Sequence, residues 1–154
     1  MHSDGSCVRG GTPSAQASIG VYFGPNSRHN IAEFVPPGFG QTSEVAELWA
    51  ALRALDKGRD VLQKAGAEGI VLASDAECVC KGMPERIYTW RKKGFCNEHG
   101  NPIRHNRLFR GLSNVVGKLE RDKKYAMFCK INRKFNKEAD RLAGTKNGCK
   151  ARRG

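Results

Sequence analysis

Hydrophobic and polar residues alternate with two different periods along this chain, and each change of period marks a predicted element. Residues 17–24 are rich in β-branched and aromatic side chains and predict a strand, and residues 30–35 predict an antiparallel return strand. With a first strand around Asp4, the opening of the chain is predicted to be a three-stranded meander. From Ser43 the apolar residues recur at helical spacing, and Thr42 or Ser43 can cap the start of this helix.

The second half of the chain alternates between short strands and helices. The continuous apolar run at residues 70–73 predicts a strand buried on both faces. The basic, irregular residues 84–102 are predicted to lie outside the core. Four further elements are predicted, namely helices over residues 77–81, 108–119 and 136–143, the last with Asn136 as a candidate cap, and a strand over residues 125–131. This order predicts an α/β fold, in which helices cover a mixed sheet.

The length of the chain predicts a single domain, and its charge predicts a polyanionic partner. A chain of 154 residues fits one domain, predicted over residues 1–145, and residues 146–154 predict a basic, disordered tail. The chain has 27 Lys and Arg against 15 Asp and Glu, a net charge of +12. Such a charge favours nucleic acid, an anionic membrane surface or a ribosomal environment, and does not choose among them.

Cysteine spacing and the start of the chain indicate the compartment. The six cysteines are scattered without the usual zinc-binding spacing, which favours free thiols in a reducing compartment. Neither a membrane-spanning run nor a signal-peptide pattern is present, so we expect an intracellular monomer of the cytoplasm or nucleus that does not enter membranes. Only three residues precede Asp4, and we expect a truncated gene product or a domain from a longer protein.

Four acidic residues stand out in this basic chain, namely Asp4, Glu47, Asp75 and Asp140. Carboxylates that face an anionic partner would repel it unless divalent cations lie between them, which makes a metal-dependent nuclease the first hypothesis. Each acid also has a plainer interpretation. Asp4 could belong to an Asp-Gly turn, Glu47 could interact with a helix dipole, Asp75 could cap a helix, and Asp140 could form a surface ion pair.

Several short motifs follow one another in a fixed order. They are Asp4-Gly5-Ser6-Cys7, Gly20-Val21-Tyr22-Phe23-Gly24-Pro25, Gln41-Thr42-Ser43 with Ala46-Glu47-Leu48, Ser74-Asp75, Lys81-Gly82, Trp90-Arg91-Lys92-Lys93-Gly94-Phe95, Asn106, and Asn136-Lys137-Glu138-Ala139-Asp140-Arg141-Leu142-Ala143. Together they resemble type 1 ribonuclease H, which cuts the RNA strand of RNA/DNA hybrids. The resemblance runs from Ser3 to about Ala143. It implies a ribonuclease H-like α/β fold whose five-stranded mixed sheet has three antiparallel strands and then two parallel ones, flanked by helices.

The resemblance also implies a catalytic site and a substrate. Asp4, Glu47, Asp75 and Asp140 would be the catalytic residues and would bind two Mg²⁺ ions, with Mn²⁺ as a possible substitute. The two metals would clamp the scissile phosphate of an RNA/DNA hybrid and leave 5′-phosphate and 3′-hydroxyl ends. The residues implied to contact the nucleic acid are Gly5, Ser6, Cys7, Thr42, Ser43, Trp90, Arg91, Lys92, Lys93, Asn106 and Arg133.

Three positions depart from the family pattern. Arg133 stands where many members have a His, Glu44 where an amide often contacts the minor groove, and Arg86 where a second aromatic residue often lies. Trp90 is therefore the main candidate for stacking on the DNA strand. The departures at Glu44 and Arg133 support an alternative, a non-catalytic module that binds hybrid or double-stranded RNA on the same fold. Charge alone supports a third hypothesis, a ribosome-associated protein.

Overall fold

Three antiparallel strands open the chain and form one side of its sheet. They are β1 (His2–Val8), β2 (Gln16–Tyr22) and β3 (Ile31–Phe34). In this computed structural model, which describes residues 1–146, Asp4 of β1 pairs with Gly20 of β2. The meander predicted from the sequence is confirmed.

A long helix, α1 (Ser43–Ala65), follows the meander. The side chain of Thr42 accepts a hydrogen bond from the Val45 backbone N–H at 3.2 Å, so Thr42 is the cap. The helix ends at Gly66, whose left-handed φ of 66° favours glycine. Alanines and leucines on one face of α1 are buried against the sheet.

The second half of the sheet is parallel. Strand β4 (Gly69–Ser74) runs parallel to β1 and to β5 (Tyr125–Lys130), and the strand order is β3-β2-β1-β4-β5. Helix α2 (Glu77–Lys81) follows β4. The predicted mixed sheet of five strands is therefore present, with β1 at its centre.

The first half of the segment predicted to be irregular is helical, which corrects the expectation for residues 84–92. A π-helical turn (Gly82–Arg86) leads directly into helix α3 (Ile87–Lys92). Met83 and Ile87 are buried because they lie four residues apart on one face of this helical stretch, and Phe95, in the loop after α3, is buried as well. The basic segment thus belongs in part to the core.

The remaining elements close the fold. They are α4 (Asn106–Arg121), which packs beside α1, a 3₁₀ turn (Arg133–Phe135) after β5, and α5 (Lys137–Lys146), which packs on β1, β2 and β3. Lys146, assigned to the tail by prediction, is the last residue of α5, and the rest of that predicted tail lies outside the described residues. No helix within residues 1–146 is both long and apolar enough to cross a membrane.

Candidate active site

Asp4 and Asp75 lie side by side because each follows one of two paired residues on neighbouring parallel strands. His2 of β1 pairs with Ala73 of β4, and each aspartate comes two residues later. Asp4 lies inside β1 and is 6% exposed, so its interpretation as a turn residue is wrong. The N-cap of α2 is Ala76, so Asp75 does not cap that helix.

Glu47 reaches these aspartates because α1 lies very close to β1. At Gly5, an added Cβ atom would overlap the backbone of Ala46 and Glu47. Glycine at this position therefore sets the distance between the strand that carries Asp4 and the helix that carries Glu47. The acidic residue in the first turn of α1 is Glu44, so the dipole interpretation does not apply to Glu47.

Asp140 is brought near these acids by a second close contact, between α5 and β2. At Gly20, the partner of Asp4 in the sheet, an added Cβ atom would overlap the backbone of Ala139 and Ala143 in α5. Asp140 follows Ala139 directly in the chain. The contact between α5 and β2 thus fixes Asp140 near β1.

The four acids form a compact group of three with a fourth beside it. Asp4, Glu47 and Asp75 each offer a carboxylate oxygen, and these atoms lie within 4.8 Å of one another. Asp140 lies outside this group, but its hydrogen bond and its charge raise the pKa of Asp4. The side chain of Asp140 is 53% exposed. Three buried or half-buried carboxylates and one open carboxylate therefore surround one point, which could hold a metal ion.

Burial and repulsion between neighbouring charges both favour the protonated forms of Asp4 and Glu47. Burial is the largest cause that raises the pKa of Asp4 to about 9, and the charges of the three other acids add to it. The pKa of Glu47 rises to about 8, mainly through burial and then through the charge of Asp75. A bound cation would relieve this repulsion by neutralising the carboxylates.

The donor atoms of the cluster suit a hard divalent cation. Carboxylate oxygens are the ligands that Mg²⁺ and Mn²⁺ prefer. Oε2 of Glu47 is buried and has no hydrogen-bond partner among the described residues. A buried carboxylate oxygen without a partner is costly, so a cation at this point would satisfy it. The residues present therefore fit a divalent metal site.

Comparison with known proteins identifies the family. The sequence profile described as RNase H matches residues 1–147. The chain belongs to the RNase H family. It is 30% identical over 115 residues to Ribonuclease H of Cyanothece sp. (strain PCC 7425 / ATCC 29141) and 28% identical over 116 residues to Ribonuclease H1 of Rattus norvegicus. Both alignments cover 75% of this chain, but the chain spans 68% of the Cyanothece protein and only 39% of the rat protein.

Solved structures of RNase H proteins share the fold. The solution structure of the PFV RNase H domain matches with a TM-score of 0.68 and 17% identity, covering 94% of this chain and 90% of that chain. The structure of LC11-RNase H1 in complex with an RNA/DNA hybrid matches with a TM-score of 0.59 and 18% identity, covering 94% and 92%. These similarities confirm the predicted RNase H-like fold.

One residue of this RNase H site was predicted only as a helix cap. The Nδ2 atom of Asn136 donates to Oδ1 of Asp75 and to the backbone oxygen of Ser3, both at 2.9 Å. Asn136 does occupy the N-cap position of α5, since its backbone oxygen accepts from the Asp140 N–H at 3.1 Å, but its Oδ1 atom has no partner among the described residues, so the side chain does not cap the helix. Asn136 instead orients Asp75, and its position four residues before Asp140 was the only sequence signal for this role.

Arg133 brings a cation to the open side of the RNase H site. Its Nη2 atom lies 3.9 Å from Oδ1 of Asp140, and 81% of its side chain is exposed. The Arg133 charge also lowers the pKa of Glu47 against the stronger effect of burial. The ion pair predicted for Asp140 thus exists, but with Arg133, since Arg141 pairs with Glu138 at 3.1 Å.

Two residues of the basic segment are anchored on α4. The Trp90 ring packs on Phe109, with centroids 4.6 Å apart. Nε of Arg91 donates to Oγ of Ser113 at 2.6 Å, and its Nη1 atom lies 3.3 Å from Glu120. The protein therefore uses much of the Arg91 guanidinium itself.

Lys92 and Lys93 differ from Arg91. Both are exposed, and within residues 1–146 neither forms an ion pair. Both side chains are therefore available to a partner.

Asn106, another predicted contact residue, supports the loop before α4. Its Nδ2 atom donates to the backbone oxygen of Phe95 at 3.0 Å, and its Oδ1 atom accepts from Arg110 at 3.2 Å. Arg110 also donates to the backbone oxygen of Gly94 at 2.8 Å. The side chain of Asn106 therefore holds the basic segment against α4.

The other predicted contact residues lie where β1 meets the start of α1. Sγ of Cys7 donates to the backbone oxygen of Gln41 at 3.3 Å, next to the cap residue Thr42. Ser6 follows Gly5 on β1, and Ser43 is the exposed first residue of α1. Ser43 lies four residues, about one helical turn, before Glu47.

Glu44, the acidic departure from the family pattern, lies next to Arg104 and His105. Its Oε2 atom lies 3.4 Å from Nη2 of Arg104 and 3.3 Å from Nε2 of His105. Only 14% of the His105 side chain is exposed. The negative charge next to the carboxylate cluster is therefore partly balanced within the protein.

Proposed function

We propose that this protein is a divalent-metal-dependent ribonuclease H that hydrolyses the RNA strand of RNA/DNA hybrids. The observation that carries the proposal is the group of carboxylate oxygens from Asp4, Glu47 and Asp75 within 4.8 Å of one another, with Asp140 beside Asp4. The group lies in a chain of net charge +12, which favours a polyanionic substrate. Membership of the RNase H family supports the same reaction.

The cofactor in this proposal is Mg²⁺, two ions per site, with Mn²⁺ as a substitute. Asp4, Glu47, Asp75 and Asp140 would hold the ions. When bound, such ions lower the pKa of water and stabilise charge on the attacked phosphate and on the leaving oxygen. The expected products carry 5′-phosphate and 3′-hydroxyl ends.

The chain's own residues position this site. Asn136 holds Asp75 through its Nδ2 hydrogen bond of 2.9 Å, so the carboxylate keeps one orientation. Gly5 and Gly20 bring α1 and α5 close to the sheet, which fixes Glu47 and Asp140. Arg133 lies at the open side and would attract a backbone phosphate of the substrate.

The hybrid would lie across the two regions that border the cluster. Gly5, Ser6, Cys7, Thr42 and Ser43 would contact one strand beside Glu47. Trp90, Lys92 and Lys93 would contact the other strand, while Arg91 and Asn106 would support that surface from within. We expect the protein to act as a monomer.

Cleavage of a labelled hybrid tests the proposal. Wild-type protein should cut the RNA strand in Mg²⁺ but not in EDTA, and should leave the DNA strand and single-stranded RNA intact. Asp75→Asn should lower the rate by about 10³-fold, because several kcal/mol of charge stabilisation are lost. Asp60→Asn, an exposed acid on α1, is the matched control and should leave the rate unchanged.

Two outcomes would contradict the proposal. One is a folded protein that binds the hybrid without metal-dependent turnover, which would assign it to non-catalytic binding modules. The other is unchanged cleavage by Asp75→Asn. Enzymatic extension or ligation of the product ends checks the expected 3′-hydroxyl and 5′-phosphate separately.

A further inference from the structure

The turn between β5 and α5 carries an exposed aromatic ring next to the carboxylate cluster. Phe135 is 67% exposed, more than any other large apolar residue within residues 1–146. It ends the turn Arg133–Phe135, and the next residue is Asn136, which holds Asp75. The exposed ring is therefore adjacent in the chain to Asn136, whose side chain contacts the proposed metal ligand Asp75.

Hydrogen bonds on both sides fix the backbone of this turn. The side chain of Asn132 accepts from the Lys134 N–H at 3.1 Å, and its backbone oxygen accepts from the Phe135 N–H at 2.9 Å. On the other side, Asn136 is buried and donates to the backbone oxygen of Ser3. Because the backbone is already ordered, a ligand that stacks on Phe135 would pay little conformational entropy.

One cation lies near the ring, and a second belongs to the same turn. Nζ of Lys134 lies 5.0 Å from the Phe135 ring centroid, and the Arg133 side chain is 81% exposed. An exposed ring on a turn that carries cations is the combination that binds single-stranded nucleic acids, because bases stack on the ring while phosphates contact the cations. An apolar protein partner would fit this turn less well, since two of its three residues are charged.

We propose that Phe135 stacks on an unpaired nucleotide next to the bound hybrid and so directs the protein to places where the paired region ends. The inference rests on the proposed function, because it places the hybrid at the carboxylate cluster. Inside a duplex both faces of each base are covered by neighbouring bases, so an aromatic ring finds a free face only on an unpaired or terminal nucleotide. Arg133 and Lys134 contact the phosphates beside that nucleotide.

Equilibrium binding in EDTA tests this inference without any cleavage. The probes are a fluorescent blunt hybrid, the same hybrid with a short RNA extension at either end, and the same hybrid with a short DNA extension at either end. Wild-type protein should bind at least one extended hybrid about 5-fold or more tightly than the blunt hybrid. The extension that gives the gain identifies the strand and the end.

Variants assign the gain to the ring. Phe135→Ala should abolish the difference between extended and blunt hybrids, and Phe135→Trp should retain it. Phe34→Ala removes an aromatic residue that is 41% exposed on β3, and should leave the difference intact. A 5-iodouracil at the first unpaired position should crosslink to Phe135, because this base reacts with an aromatic ring stacked on it.

Two results would overturn the inference. One is that no extension improves binding by wild-type protein, and the other is that Phe135→Ala keeps the full gain. Both readouts are independent of turnover, so a protein that fails to cleave hybrids but shows the Phe135-dependent gain would contradict only the proposed function.

Discussion

The carboxylate cluster and the basic segment are held by the fold in different ways. The acids are fixed by main-chain packing at Gly5 and Gly20, where the structure leaves no room for one extra carbon atom. The available cations of the basic segment, Lys92 and Lys93, are exposed side chains near the end of α3. The difference teaches that backbone packing fixes the positions of the carboxylates, whereas the proposed affinity for nucleic acid depends on exposed side chains that pack against little of the protein.

The largest effect is expected from breaking the close approach at Gly5. In Gly5→Ala, the new Cβ overlaps the backbone of α1 and pushes Glu47 away, which should lower hybrid cleavage by about 100-fold. Thermal unfolding should show a free energy of unfolding lower by about 1–3 kcal/mol. Gly24→Ala is the control, because an added Cβ there has nothing within 4 Å. Full activity in Gly5→Ala would show that the helix position is not decisive.

Asn136 is the next test, because it contacts the carboxylate cluster without being a proposed metal ligand. Asn136→Ala frees Asp75 from its hydrogen bond and should weaken Mg²⁺ binding by about 10- to 100-fold, measured by calorimetry well below the unfolding temperature. Asn114→Ala, an exposed Asn on α4, should leave Mg²⁺ binding unchanged. Equal Mg²⁺ affinity in folded Asn136→Ala and wild-type protein would remove Asn136 from the site.

Burial and charge repulsion at Asp4 predict that the stability of the metal-free protein depends on pH. Folding raises the pKa of Asp4 from 3.8 to about 9, so between these values the folded protein binds more protons than the unfolded chain. The contribution of Asp4 to the free energy of unfolding in EDTA should therefore be largest below the lower value and fall as pH rises toward the upper one. Asp4→Asn should flatten this decline and raise neutral-pH stability by about 1–3 kcal/mol, as denaturant titrations can measure. An equal pH dependence of the free energy of unfolding in wild-type protein and Asp4→Asn over this range would contradict the account.

The smallest effect is expected on the basic segment. Lys92→Ala with Lys93→Ala should weaken hybrid binding evenly across sequences, and the slope of log K against log salt should fall by about 0.9 for each lost phosphate contact. Lys64→Ala, near the far end of α1, should change neither quantity. An unchanged salt slope in the double variant would place the hybrid elsewhere. Arg91→Ala should instead lower stability, since Arg91 donates to Ser113.

The difference between the two regions also explains what the sequence could predict. Asp4 and Glu47 lie in regular elements and Asp75 directly follows one, so these elements were predicted and the resemblance supplied the roles of the three acids. The helical part of residues 84–102 was missed because Met83 and Ile87 are spaced among cations, which resemble a solvated loop. The backbone at Phe95 has a left-handed φ of 59°, a local feature that periodicity does not reveal.

Long-range partners lay beyond sequence reasoning for a different reason. The contact between Asn136 and Asp75 joins residues 61 positions apart, and that between Arg91 and Ser113 joins residues 22 positions apart. A side chain that could cap a helix or bind a phosphate has the same chemistry when it supports a neighbour. The sequence therefore indicated which residues were polar and near the site, but only the fold shows which of them have their hydrogen bonds satisfied inside the protein.

The most direct test of the central claim is calorimetric titration of Mg²⁺ into wild-type protein and into Glu47→Gln. The account predicts that wild-type protein binds Mg²⁺ and that the variant binds at least about 10-fold more weakly. It also predicts that the variant is at least as stable as wild-type protein in EDTA, because a buried, mutually repelled carboxylate has been neutralised. Equal Mg²⁺ affinity in the two proteins would contradict the claim that these packed carboxylates form the metal site.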